Sequence, residues 1–98
     1  VRLRNAYGHI VRVIRQQNDL TLREVAKQAG ISPAHLSEFE RGKNEISSEL
    51  FECLCVALKT QQSAIVLEAY RLLARQEAKE RKRIENKLHT DRTIRAVI

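Results

Sequence analysis

Residues 22–43, LREVAKQAGISPAHLSEFERGK, decide the fold, because the segment is polar overall yet punctuated at Gly30, at Ser32 and Pro33, and again at Gly42. Glycine takes the left-handed conformation that closes a helix, and Ser-Pro opens the next by supplying a side-chain cap and a preset φ. Just upstream, Thr21 offers a cap oxygen with Glu24 three residues on, and Leu20 before it is placed to pack on Val25. The punctuation predicts one short helix from Leu22 to Ala29. A second runs from Pro33 to about Arg41, with Ile31 stapled to Leu36 and with Leu36 and Phe39 inward.

The flanks follow the same logic. Tyr7, Ile10, Val11 and Ile14 recur at helical spacing, so residues 5–17 form an amphipathic helix that Asn18 and Asp19 end. Ser47 caps a fourth helix, with Ile46 stapled to Phe51 and Leu54, Cys55 and Leu58 inward. After the polar bridge 59–62, Ser63 is expected to cap a fifth helix, apolar at Ile65, Ala69, Leu72 and Leu73. Beyond Ala74 the chain changes character: residues 75–87 mix basic and acidic side chains, with Ala78 and Ile84 alone apolar. That pattern fits a solvated helix or tail, supported by pairs such as Glu77 with Arg81. Residues 90–98 form one last short helix with Ile94, Val97 and Ile98 on a face. No segment has strand periodicity. The expectation is an all-α chain with a body over 1–74 and a charged helical extension or tail over 75–98.

Composition narrows the class. In 98 residues, 43% hydrophobic side chains suffice for one core, and no apolar run is long enough to cross a bilayer. The opening VRLRNAYG lacks a signal-peptide pattern, and two cysteines make no disulfide framework. A cytoplasmic setting is expected. Net charge is +6, unevenly spread: residues 1–58 hold 8 Lys or Arg against 7 Asp or Glu, and residues 59–98 hold 10 against 5. An anionic partner is therefore worth testing, although the excess lies outside the punctuated segment.

Catalytic and metal chemistry find no foothold. Cys53 and Cys55 sit about 200° apart around a helix, so they cannot share one metal ion. His9, His35 and His89 lack ligand spacing, and no HExxH, Ser-His-Asp order or phosphate-cradling glycine loop occurs. The chain reads as no enzyme, with no cofactor and no metal site.

Two short helices joined by a tight glycine turn form a helix-turn-helix, in which the first braces the second and the second points its opening turn outward. Here the sequence resembles the Cro and phage-repressor (XRE) class of helix-turn-helix domains. The resemblance rests on TLREVAKQAGISPAHLSEFERGK followed by SSELFECLCVAL, and extends over about residues 5–70. Within that class, HLSEFERGKNEISSEL is most similar to regulators of Clp protease genes. Two departures stand out: Leu22 replaces a glutamine that commonly contacts phosphate, and Lys59 replaces the glycine that usually follows helix four.

The resemblance implies a five-helix, lambda-repressor-like DNA-binding domain with an extended fifth helix. It implies that Pro33, Ala34, Ser37 and Glu38 face the major groove, while Thr21, Arg23, Ser32, His35, Arg41 and Lys43 lie near phosphates. Glutamate accepts from cytosine N4, and a methyl such as that of Ala34 meets a thymine methyl. The competing readings are local: Ser32 and Pro33 are also helix-start residues, and Glu38 is equally a solvated glutamate. The resemblance further pairs Arg15 with Glu40 as a structural ion pair.

Leu50, Cys53 and Val56 line one side of helix four. They either pack beneath the chain's own fifth helix or form a subunit interface with Ile65, Ala69, Leu72 and Leu73. The expected function is a transcriptional regulator that binds an inverted-repeat operator as a homodimer. Its partners would be double-stranded DNA, a second copy and RNA polymerase, with no membrane involved. The alternative is an antitoxin-like or bridging module that uses the helix-turn-helix as a scaffold.

Overall fold

A computed structural model of the chain describes residues 3–97, with side chains described for residues 5–88. Five helices follow one another: α1 (Leu3–Gln17), α2 (Leu22–Ala29), α3 (Pro33–Glu40), α4 (Ser48–Ala57) and α5 (Gln62–Val97). No strand occurs among the described residues. The expected all-α class and the boundaries of α2 and α3 agree with this.

Entry to three helices uses one device. Thr21, Ser32 and Ser47 each have extended backbone, and each side-chain oxygen accepts the backbone N–H three residues on, at 3.1 Å. These bonds satisfy amide donors that a helix start otherwise leaves open. Helix closure is equally uniform. After α1, α2, α3 and α4, paired backbone bonds fold the chain back onto the last turn, as in Leu20 N–H to Arg15 O at 3.1 Å and Ile31 N–H to Ala26 O at 3.0 Å. The left-handed residue that each closure requires is Asp19 (φ 55°), Gly30 (φ 72°), Gly42 (φ 73°) and Lys59 (φ 54°). Lys59 thus occupies the backbone state of the glycine it replaces, without lengthening α4. Asn18 adds a side-chain cap, donating from Nδ2 to the Leu58 carbonyl at 3.2 Å.

Val11, Val25, Ala26, Leu36, Phe39, Leu54, Leu58 and Ile65 are buried in one core drawn from all five helices. Tyr7, Ile10, Ile14, Leu20, Leu22, Ile46, Leu50 and Phe51 pack around it, half-buried. α1 lies against α3 and α5, and α2 lies against α3 and α4. The α1–α3 crossing is close at Gly8, where an added Cβ would sit 2.1 Å from the Phe39 carbonyl oxygen.

Three expectations are corrected. Ser63 does not cap α5, because the helix starts at Gln62 and the Ser63 hydroxyl bonds to Gln61 Oε1 instead. Residues 90–98 do not form a separate helix, since α5 continues unbroken to Val97. The expected grouping of Ile94, Val97 and Ile98 lies outside the described side chains. α5 also passes through residue 74 without a break and draws the molecule out to 65 × 23 × 22 Å. Every residue from 77 to 88 is exposed. The Glu77–Arg81 pair is absent; among the described residues the ion pairs along α5 are Glu68 with Arg71 and Glu80 with Arg83.

Candidate nucleic-acid interface

The opening turn of α3 stands in solvent. Ser32, Pro33 and Ala34 are exposed, while Leu36 and Phe39 on the opposite face are buried against the core. This split follows from the sequence, since small and polar residues open the helix and its two large apolar ones lie three apart. His35, Ser37 and Glu38 are half-buried, Arg41 and Lys43 are exposed, and Thr21 and Arg23 are exposed at the start of α2. Two helix N-termini carry bonded cap oxygens, and each cap hydroxyl keeps its own proton to donate.

Arg15 sets the angle of α3. Its Nε donates to Glu40 Oε2 at 2.8 Å, its Nη2 to Glu40 Oε1 at 2.9 Å and its Nη1 to the Leu20 carbonyl at 3.1 Å. One guanidinium therefore ties α1, the α1–α2 link and the end of α3 together. The bond from Glu40 holds the Arg15 pKa above its ordinary value against the opposing pull of burial. Both side chains are largely buried, at 12% and 4% exposed, so the pair acts as a fixed brace rather than a surface contact.

The α3–α4 loop clasps the candidate reading face through contacts that sequence reasoning missed. Asn44 donates from Nδ2 to Glu38 Oε2, which orients the carboxylate. His35 Nε2 lies 3.1 Å from the Glu45 carbonyl, an oxygen that can only accept, so this ring nitrogen carries the proton. Arg41 Nε donates to the Ser37 carbonyl at 3.3 Å, leaving the rest of its guanidinium free to face an anion. Asn44 and Glu38 are six residues apart across a turn, and no spacing rule signals such a contact. Leu22 is half-buried against the core, so the glutamine position common in the class here serves packing.

The expected subunit-interface residues do not form one surface. Ile65 and Ala69 are wholly buried in the chain's own core and have nothing to offer a partner. Leu50, Leu72 and Leu73 are half-buried, while Cys53 is exposed and Val56 is 77% exposed. Among the described residues, the large apolar side chains that α5 exposes are Val66, Leu67, Tyr70, Ile84 and Leu88, which lie off the stripe of Ile65, Ala69, Leu72 and Leu73. Cys55 is buried, and desolvation followed by the nearby Glu52 charge pushes its thiol pKa up. Among the described residues no group of three His, Cys, Asp or Glu is placed to hold a metal ion, and no single helix is long and apolar enough to cross a membrane.

A capped, braced, outward-facing α3 defines a class, and comparison with known proteins agrees. The helix-turn-helix family model HTH_3 matches residues 11–61. The chain belongs to this XRE-type helix-turn-helix family of DNA-binding transcription regulators, which are not enzymes. It is 41% identical over 75 residues to the transcriptional regulator ClgR of Mycobacterium tuberculosis, covering 76% of this chain and 67% of that protein. The crystal structure of the clp gene regulator ClgR from Corynebacterium glutamicum matches with a TM-score of 0.78 at 41% identity, covering 82% of this chain and 85% of that one. The antitoxin PezA of Streptococcus pneumoniae is 34% identical over 61 residues, which is 62% of this chain and 39% of PezA.

Proposed function

We propose that the chain regulates transcription in the cytoplasm by binding an inverted-repeat operator as a homodimer, each copy placing α3 in the major groove. The observation that carries this is the solvent-facing first turn of α3, held at a fixed angle by the buried Arg15–Glu40 brace. Pro33, Ala34, Ser37 and Glu38 then read base edges, with Glu38 accepting from a cytosine amine while Asn44 holds its other oxygen. Thr21, Arg23, Ser32, His35, Arg41 and Lys43 fix the register on phosphates. A two-fold pair would span half-sites about 34 Å apart, one DNA turn. RNA polymerase is the protein such a regulator would meet at a promoter. Likeness to ClgR makes the control regions of clp genes the first DNA to test.

Selecting bound sequences from a random DNA pool tests the reading. A symmetric site with half-sites one turn apart is expected, and recovery of no sequence preference would overturn it. A second reading, a scaffold in an antitoxin-like or bridging complex, is favoured by the likeness to PezA and by the near balance of charge in residues 1–58. Absence of DNA binding at low salt would select it.

A further inference from the structure

A cavity of about 420 Å³ opens beside the α3–α4 loop, between the first half of α1, the end of α3 and the opening turns of α4 and α5. Small-molecule sites commonly measure about 300–1,000 Å³. Three of the chain's four aromatic side chains, Tyr7, Phe39 and Phe51, line it, and the Tyr7 and Phe51 rings stand 5.8 Å apart, tilted by 49°. Among the described residues that line it, Glu45 alone carries a charge, and Ser48 and Gln62 add neutral polar groups. Aromatic faces are electron-rich, so rings and carboxylate present one sign of potential to whatever enters. That combination favours a cation with an apolar body and repels an anion.

The same loop holds the reading face. Asn44 orients Glu38, and the Glu45 carbonyl accepts from His35 Nε2 at 3.1 Å, while Glu45 and Ile46 belong to the cavity wall. We propose that this cavity binds a small organic cation, an ammonium carried on a bulky alicyclic or aromatic body, and that its occupation tightens operator binding. Glu45 neutralises the ammonium, the rings face its charge, and the body fills the apolar space. A guest in the cavity adds contacts to the loop and disfavours arrangements in which Asn44 and Glu45 part from α3. Operator DNA needs the same arrangement, so each ligand raises the affinity of the other by one common factor. The coupling rests on the DNA reading proposed above; the cation site does not.

Three probes of one shape separate charge from bulk: 1-adamantylammonium, 1-adamantanol and adamantane-1-carboxylate, each titrated into the full chain and followed by amide chemical shifts. The ammonium is expected to shift residues 45–51 and 62–66 and to bind about fivefold or more tighter than the alcohol, with no binding of the carboxylate. Glu45→Gln, at an exposed position, should erase the preference for ammonium over alcohol. Equal binding of all three probes, no binding of the ammonium, or a preference that survives Glu45→Gln overturns the site. For the coupling, operator affinity is measured with and without saturating 1-adamantylammonium at fixed ionic strength. A rise of about fivefold is expected in the wild type and none in Glu45→Gln. An unchanged or lowered wild-type affinity, or the same rise in both chains, overturns the coupling. A chain that binds the ammonium in the cavity but no DNA overturns the reading of α3 and the coupling with it, and leaves the cation site standing.

Discussion

Removing the Glu40 carboxylate leaves the Arg15 guanidinium buried with only the Leu20 carbonyl as partner, so Glu40→Ala is expected to cost about 3 kcal/mol in urea unfolding. Replacing both partners, as Arg15→Met with Glu40→Leu, should recover most of that loss, because two desolvation penalties disappear together. A double variant as unstable as the single one would show that the brace stabilises rather than orients. Gly8 makes a second residue-scale case. Alanine is the better helix former, yet Gly8→Ala should destabilise by about 1–3 kcal/mol, because the new methyl meets the Phe39 carbonyl. Arg15 and Glu40 were legible through family resemblance. Gly8 was not, since nothing in sequence separates a helical glycine at a close crossing from one that merely weakens its helix.

At the scale of elements, starts were easier to read than ends. Thr21, Ser32 and Ser47 announce themselves by side-chain chemistry. Gly30 and Gly42 announce two closures and Asp19, of a type that tolerates the left-handed state, a third, but Lys59 fills that state with a side chain that normally avoids it. Lys59→Gly is therefore expected to stabilise by about 0.5 kcal/mol, the strain relieved less the extra chain entropy of glycine, seen as a raised denaturant midpoint at constant m. The α3–α4 loop makes its own prediction. Glu38→Ala should cost about 1–3 kcal/mol on the selected operator and relax preference at one base pair. Asn44→Ala should act in the same direction by unfixing the carboxylate. Equal losses on operator and scrambled DNA would assign both residues to a general rather than a reading role.

For the molecule as a whole, charge placement predicts how binding responds to salt. Arg23, Arg41 and Lys43 give three candidate phosphate cations per copy, so a dimer neutralising six phosphates should show a log–log salt slope of about −5. Lys43→Ala should make that slope shallower by nearly two in the dimer, one contact in each copy. A much steeper slope in the wild type would bring the basic α5 extension onto DNA.

Periodicity and capping residues by themselves determined α1 to α4, the turn between α2 and α3, and the inward face of α3, because each depends on neighbours within one or two turns of chain. What α5 does was decided by tertiary structure. Its stripe, Ile65 and Ala69, was open to packing within the chain or to a subunit interface, and α1 lies alongside α5 while the chain's own core covers both residues. Which apolar face a helix keeps for itself depends on how distant segments pack, and local sequence carries no record of that choice.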